Sequence, residues 1–303
     1  MKNLILFFPS KNKAAGAFEG LGEEMTLREQ QMLTRVPQDH VNIYMIRTID
    51  NFFGKNEFLP QFQLHNQTWK KHSGTEKIFG DLVYGFRMPQ GVTHTHPSKI
   101  SEITKDKRII EVLFPEYSMK SIVCNNYSEI LQNFENILSD LKVLKPHGGF
   151  LGKGISIGQD IPQESELGKD DYPYLLQDFH DTSGGFYDLS SGLHDFRVVI
   201  LDGKIIAKLL REPGDGKYIS NTFQGGKIQD IFDFPIPRKI QEIINTIDNY
   251  CKKYEHRYYA IDMGLGVNGD IKVFEINGAP GYASEYMAHE FGDYIVKNIL
   301  KIS

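Results

Sequence analysis

The stretch that most restricts this chain is residues 259–281, Tyr-Ala-Ile-Asp-Met-Gly-Leu-Gly-Val-Asn-Gly-Asp-Ile-Lys-Val-Phe-Glu-Ile-Asn-Gly-Ala-Pro-Gly. Asn268-Gly269 between two apolar runs is the strongest short-range hairpin signal a sequence can give. With those two residues as the loop, Val267 pairs with Asp270, and counting outward sets Asp262 directly opposite Glu275. Side chains alternate faces along a strand, so Glu275 and Asn277 share that face, roughly 6 to 7 Å apart. Two carboxylates facing each other across a ladder repel, which weakens the hairpin unless something positive lies between them. A divalent cation is the simplest answer. An all-oxygen donor set suits Mg²⁺ or Mn²⁺ rather than zinc. Mg²⁺ fills the rest of its shell with water and substrate phosphate, so the site predicts a phosphate ligand. The competing reading is an exposed hairpin whose acids are merely solvated, and the rest of the chain has to decide.

At 303 residues, 40% hydrophobic and 24% charged, the chain suits two domains or one large one. A net charge of -5 argues against a protein that coats nucleic acid, whose affinity would come from Lys and Arg on phosphates, but leaves room for a local basic pocket. Cys124 and Cys251 stand far apart with no CxxC or His spacing, so neither a zinc site nor a disulfide framework is expected. The apolar run 4–8 is too short for a signal peptide and nothing approaches membrane-spanning length. The expectation is a soluble cytoplasmic protein without a membrane or nucleic-acid partner; the sequence is compatible with a homo-oligomer.

In chain order, residues 3–8 read as a first strand, and 41–46 and 82–86 as further short strands. His94 and His96 have same-face spacing but no third ligand nearby, so a structural loop is expected there rather than a metal site. Ile100, Ile103, Ile110, Leu113 and Phe114 are spaced for a helix ended by Pro115, with Lys107 inside it. Residues 128–141 read as an amphipathic helix capped by Ser128. Next comes a strand through Lys145, then a loop with glycines at 148, 149, 152 and 154 beside Lys153, whose backbone N–H groups can turn toward an anion. No Gly-Lys-Ser/Thr opens a helix, so this is not the phosphate loop of P-loop proteins. Residues 174–179, Tyr-Leu-Leu-Gln-Asp-Phe, form an apolar strand ending in polar groups. The run 194–211 reads as a second hairpin turning at Asp202-Gly203, which pairs Arg197 with Lys208 and sends Arg211 to the other face unless a bulge intervenes. Residues 237–254 form a helix with Ile240, Ile243, Ile244, Ile247, Tyr250, Cys251 and Tyr254 on one face, and 283–302 look helical and structural.

The order of these pieces matters more than any one of them. A lysine-bearing helix, Leu-Lys-Pro with a Gly-rich loop, Leu-Gln-Asp-Phe, Asp-Phe-Arg, Asn with Gly-Gly, then Asp and Glu-Ile-Asn-Gly-Ala-Pro-Gly resembles the ATP-grasp superfamily over about residues 103–281. Within it the chain is similar to the glutathione synthetase and RimK-like carboxylate-amine ligases, and Leu-Lys-Pro-His-Gly-Gly-Phe-Leu-Gly-Lys-Gly-Ile also resembles the YheC/YheD group. The resemblance implies a mixed α/β (α+β) ATP-grasp fold: an N-terminal α/β domain over 1–102, a central lid subdomain over 103–185 and a C-terminal metal-binding subdomain over 186–303. On that template Lys107 and Lys145 contact ATP phosphates, covered by the loop through His147, Gly148, Gly149, Gly152 and Lys153. Gln177, Asp178 and Phe179 meet the adenine, Asn221 lies in a further nucleotide-side loop, Arg197 and Arg211 hold the γ-phosphate or acyl phosphate, and Asp262, Glu275 and Asn277 ligate two Mg²⁺ (or Mn²⁺) ions.

The implied chemistry is ATP-dependent ligation of a small-molecule or peptide carboxylate to an amine through an acyl phosphate, releasing ADP and phosphate. Phosphoryl transfer needs chiefly positioning and charge neutralisation, so the lack of a catalytic Ser or Cys constellation is expected. Two other readings stand beside it: a kinase on the same fold, and a nucleotide-binding protein without acceptor chemistry. The chain departs from the RimK-like pattern where Leu210, not Lys, precedes Arg211, and residues up to about 95 carry no resemblance, which leaves the substrate unread.

Overall fold

The computed structural model describes residues 1–7, 27–85, 92, 95–96, 100–148, 154–220, 225–254, 256–278, 280–281 and 283–302. The chain divides into two compact units, one made of Met1–Ser98 with Gly281–Ser303 and the other of Lys99–Pro280.

The first unit begins with β1 (Lys2–Phe7), whose apolar side chains from Leu4 to Phe7 are fully buried. After α1 (Leu27–Thr34), β2 (Val41–Ile46) pairs parallel with β1. A region that reads as weak in sequence then yields β3 (Glu57–Phe58), β4 (Phe62–His65), β5 (Thr68–Lys71) and β6 (Ile78–Phe79), followed by the expected β7 (Leu82–Gly85) and by β8 (Thr95–His96). The β4–β5 hairpin turns on Asn66 and Gln67, both with positive φ (45° and 61°), a primed turn without the glycine that would announce it. The main sheet has the order β5-β4-β2-β1-β7-β8, parallel in its β2-β1-β7-β8 part. His94 lies outside the described residues.

In the second unit, the single helix expected around Lys107 forms as two short pieces, α2 (Ile100–Ile103) and α3 (Ile109–Leu113). The break has a local cause: the Asp106 carboxylate accepts the Arg108 N–H at 2.8 Å, a turn that competes with the helical pattern. After β9 (Ser121–Cys124), the next helix, α4 (Tyr127–Asn133), is shorter than the sequence suggested and continues as a 3₁₀ turn, Phe134–Asn136. Its cap is Asn126 rather than Ser128, with Asn126 Oδ1 accepting the Glu129 N–H at 3.0 Å. The strands β10 (Lys142–Pro146), β11 (Ser156–Gly158) and β12 (Tyr174–Asp178) complete an antiparallel sheet of order β11-β10-β12-β9.

A five-stranded antiparallel sheet follows, built from β13 (Asp195–Leu201), β14 (Lys204–Glu212), β15 (Lys227–Asp230), β16 (Tyr258–Leu265) and β17 (Ile271–Asn277) in the order β15-β14-β13-β16-β17. Between β15 and β16 lies α5 (Arg238–Cys251), whose Ile240, Ile243, Ile244, Ile247 and Cys251 are buried at helical spacing. They share one core with Phe196, Val198, Ile200, Tyr259, Ile261, Val273 and Ile276 of the sheet. Each such side chain contributes about 1.5–3 kcal/mol by burial, so this face of the sheet is firmly committed. Alternation from Phe196, Val198, Ile261 and Ile276 places Asp195, Arg197, Asp262, Glu275 and Asn277 on the opposite face, the irregularity beside Met263 separating Glu275 from Val273.

The chain finally returns to the first unit with α6 (Glu285–Tyr294), which runs into a π-helical turn, Ile295–Ile299. There α6 packs on α1 so closely that a Cβ on Gly292 would lie 2.5 Å from the Met32 carbonyl oxygen. No described helix is long and apolar enough to cross a membrane.

Candidate active site

The β16–β17 hairpin does set Asp262 opposite Glu275, although its turn differs from the one the sequence suggests. Gly266 N–H donates to Asp270 O at 2.8 Å, which closes a three-residue loop, Val267-Asn268-Gly269, with Gly269 at φ +79°. Near the tip the register is therefore one residue away from a two-residue loop, with Leu265 opposite Ile271 and Met263 opposite Val273. An irregularity between Asp262 and Met263 takes up the difference and restores the Asp262–Glu275 and Ala260–Asn277 pairs.

The second hairpin corrects an expectation. Arg197 faces Leu209, not Lys208, because the register shifts between Val199 and Ile200. Lys208 faces Val198 and donates to the Phe234 carbonyl at 2.6 Å. The same bulge brings Arg211 opposite Asp195, onto the face that carries Arg197.

Four charged side chains meet there. Arg197 Nε and Nη2 donate to the two oxygens of Asp262, each at 2.6 Å. Arg211 Nη2 lies 2.9 Å from Asp262 Oδ2 and also donates to Asp195 Oδ2. The positive charge answering Asp262 is thus two guanidiniums from neighbouring strands, and the quartet of two arginines and two aspartates is neutral. Burial works against the Asp262 carboxylate, yet Arg197 and Arg211 together hold it down at about 2. Asp195 goes the other way, pushed up to about 6 by burial against the pull of Arg211. Asp195 Oδ1 and Arg211 Nε are buried with no hydrogen-bond partner.

Two lysines form the second half of the site. Lys145, on β10, is 8% exposed, and burial, then the neighbouring Lys107, push its ammonium down to about 8 against Glu275 and Glu111. Lys107, in the turn between α2 and α3, is likewise lowered by burial, opposed by Glu275 and Asp171. Among the described residues neither ammonium has a hydrogen bond or ion pair. Lys107, Glu111, Ser121, Lys145 and Gln177 line one narrow cavity. Lys145 is buried and Lys107 half-buried, and like charges placed so, with no partner among the described residues, would favour an anion between them.

The oxygen donors can be tested against a divalent cation. The Glu275 carboxylate is raised by burial and by Asp262, and among the described residues no hydrogen bond reaches it. Asn277 lies two residues along the same strand. Asp262, by contrast, has both oxygens occupied by arginine. Among the described residues no three His, Cys, Asp or Glu side chains converge as a metal cage. This partial oxygen set fits an ion such as Mg²⁺ that keeps water and phosphate in its shell.

The remaining predicted residues are placed as follows. Gln177 is buried in β12, with Nε2 3.5 Å from the Met119 carbonyl. Asp178 accepts the N–H groups of Leu138 and Ser139 at 3.1 and 3.0 Å, so its side chain braces the segment leading into β10. Phe179 N–H donates to Ser139 Oγ at 3.0 Å, and its ring meets Tyr218 edge-on at 5.5 Å. His147 N–H donates to the Pro173 carbonyl at 2.8 Å, and Gly148 is exposed. Gly149, Gly152, Lys153 and Asn221 lie outside the described residues. Asp195 was missed in the sequence, although its place two residues before Arg197 on one strand puts both on one face.

No family model matches the sequence. Among curated proteins, N-acetylaspartylglutamate synthase A of Mus musculus is 34% identical over 87 residues, which spans 28% of this chain and 21% of that protein's length. Solved structures match over nearly the whole chain. D-alanyl-alanine synthetase A from Vibrio cholerae aligns with a TM-score of 0.62 at 14% identity, covering 99% of this chain and 97% of the other. Macrocyclase MdnC bound with precursor peptide MdnA, from Microcystis aeruginosa, aligns at 0.57 and 10% identity, covering 97% and 99%. ATP-grasp ligase PsnB, complexed with a phosphomimetic precursor variant, Mg and ADP, aligns at 0.56 and 12% identity, covering 97% and 98%. The chain has the ATP-grasp fold.

Proposed function

We propose that the chain is an ATP-dependent carboxylate–amine ligase that makes an amide bond through an acyl phosphate. The observation that supports it most is the pair of buried Lys145 and half-buried Lys107, without partners among the described residues, which calls for a polyanion such as the phosphates of ATP. The four-stranded sheet serves as the central lid subdomain and the five-stranded sheet with α5 as the C-terminal one, with Gln177, Asp178 and Phe179 at the adenine. Glu275 and Asn277, joined by Asp262 when its arginines turn to phosphate, are the ligands for Mg²⁺. When bound, Mg²⁺ supplies charge neutralisation at the phosphate oxygens.

A carboxylate oxygen of the acid attacks the γ-phosphorus, and the bond from that phosphorus to the bridging oxygen breaks, leaving ADP with the electron pair. Arg197 and Arg211 meet the charge on the transferred phosphoryl oxygens, where preorganised donors in a buried site act most strongly. The amine nitrogen then attacks the acyl carbon. The C–N bond forms, the carbon–oxygen bond to phosphate breaks, phosphate leaves with the electrons and the amine proton passes to solvent. The fold neighbours named for D-alanyl-alanine and for precursor peptides support small amino-acid or peptide substrates.

The test quantifies ADP and phosphate together, with Mg²⁺-ATP and pools of amino acids and short peptides, with and without hydroxylamine. Equal, substrate-dependent release with a trapped hydroxamate supports the ligase. ADP without matching phosphate and without hydroxamate would replace it with a kinase.

A further inference from the structure

The two lysines of the anion site sit on separate pieces of chain. Lys107 lies in the turn between α2 and α3, and α3 packs on β17. Lys145 lies in β10, within the four-stranded sheet. Each ammonium disfavours the other, and neither is held by a hydrogen bond among the described residues. Something else must keep both segments facing one point.

Glu111 of α3 accepts the Ser121 N–H at 3.2 Å and so ties α3 to β9, but a second contact joins the residues flanking the two lysines themselves. Asp106, directly before Lys107, places Oδ1 2.7 Å from Nε2 of His147, two residues after Lys145. Both ends are anchored. The Asp106 carboxylate is gripped by Arg108 through N–H, Nε and Nη2 at 2.8, 3.1 and 2.9 Å. Arg108 and His147 together draw its carboxyl down to about 2 against the pull of burial, with Arg108 the stronger influence. The His147 backbone is tied to Pro173 at the start of β12. The contact is a short polar approach without the geometry of a linear hydrogen bond. Asp106 does not neutralise the lysines itself, since Glu275, Asp171 and Glu111 are the acids that act on them.

We infer that Asp106 is a positioning residue which, through His147, clamps the Lys107 and Lys145 segments together so that both ammonium groups converge on one phosphate-bearing ligand. The inference rests on the nucleotide reading of this site. It differs from a direct nucleotide contact by His147, because it gives Asp106, which as a carboxylate would repel phosphate, a favourable share in binding.

The test is calorimetric titration of the full chain with Mg²⁺-ATP for the wild type, Asp106→Asn, His147→Gln and the double variant. The expected result is a loss of about tenfold in affinity for each single variant, with the double variant no weaker than the singles, the signature of one shared interaction. Thermal melts run alongside separate binding from folding, and Asp106→Glu replaces Asp106→Asn if the latter does not fold. Unchanged affinity in the Asp106 variant would overturn the clamp while leaving the nucleotide site intact. Losses that multiply in the double variant would overturn it too, by making the two residues independent. A wild type that binds no Mg²⁺-ATP would instead sink the nucleotide reading.

Discussion

Arg197 and Asp262 face each other directly across the β13–β16 ladder, joined by two hydrogen bonds of 2.6 Å. A planar fork meeting a carboxylate at two points is a job lysine cannot do. Arg197→Lys is expected to keep the charge balance and the fold while losing the two-point grip. Turnover should fall about a hundredfold or more, the usual loss when a donor to developing charge is displaced. Steady-state ADP release beside a urea melt checks both halves, and a variant with full turnover would remove Arg197 from the phosphoryl site.

Lys145 is a case where function and stability pull apart. Its buried ammonium, pushed down to about 8, is unfavourable in the free chain. Lys145→Met should therefore stabilise the protein by about 1–3 kcal/mol while abolishing Mg²⁺-ATP binding. The pH dependence has a definite sign. Between the folded value near 8 and the ordinary 10.5, the unfolded chain holds a proton that the folded one has lost, so stability rises with pH across that window. Over the same window the affinity for ATP should fall as the charge disappears. Urea midpoints of wild type minus Lys145→Met, taken from pH 7 to 10, isolate the effect; a difference that does not change with pH would contradict it.

Metal binding should depend on nucleotide. Asp262 is held by two arginines, so Glu275 and Asn277 alone offer too few oxygens for a tight site. Paramagnetic resonance with Mn²⁺ is expected to give weak binding to the free chain and much tighter binding once ATP supplies phosphate oxygens. Equal affinity in both states would show that the ion has a site of its own.

Away from the site, Asp248 ties α5 to the start of β16. It accepts Arg257 Nε at 3.0 Å and the Tyr259 hydroxyl at 2.9 Å on one oxygen, while Arg257 Nη1 reaches Asp202 at 2.8 Å in the β13–β14 turn. Asp248→Ala leaves Arg257 with Asp202 alone and the Tyr259 hydroxyl without this acceptor, and should cost about 1–3 kcal/mol. Glu242→Ala, which removes only the exposed pair with Arg238, should change stability by less than about 0.5 kcal/mol. Denaturant melts of the two variants make the comparison.

What could be read from the sequence follows from what is local. The Asp262–Glu275 pairing was legible because strand alternation and a glycine turn leave few registers, and it survived a misread turn only because a bulge offset the error. The Val199/Ile200 bulge has no sequence mark, so the pairing of Arg211 with Asp195 stayed hidden. The helix broken at Asp106 was misread for a related reason: its apolar spacing is helical, and the competing side-chain bond to Arg108 is a matter of geometry. Buried strands such as β10 and β12 were plain because their apolar runs are short and bounded. The clamp between Asp106 and His147 joins residues 41 positions apart, a distance over which no periodicity speaks.

The most direct measurement follows oxygen. Once the pooled assay yields an acid, that acid labelled with ¹⁸O in its carboxylate is turned over with Mg²⁺-ATP and the amine, and the released phosphate is weighed by mass spectrometry. An acyl phosphate requires one carboxylate oxygen to leave with phosphorus, so each turnover should give phosphate carrying one ¹⁸O. Unlabelled phosphate alongside a labelled product would mean that the carboxylate never attacked the γ-phosphorus, and would contradict the ligase mechanism at its first step.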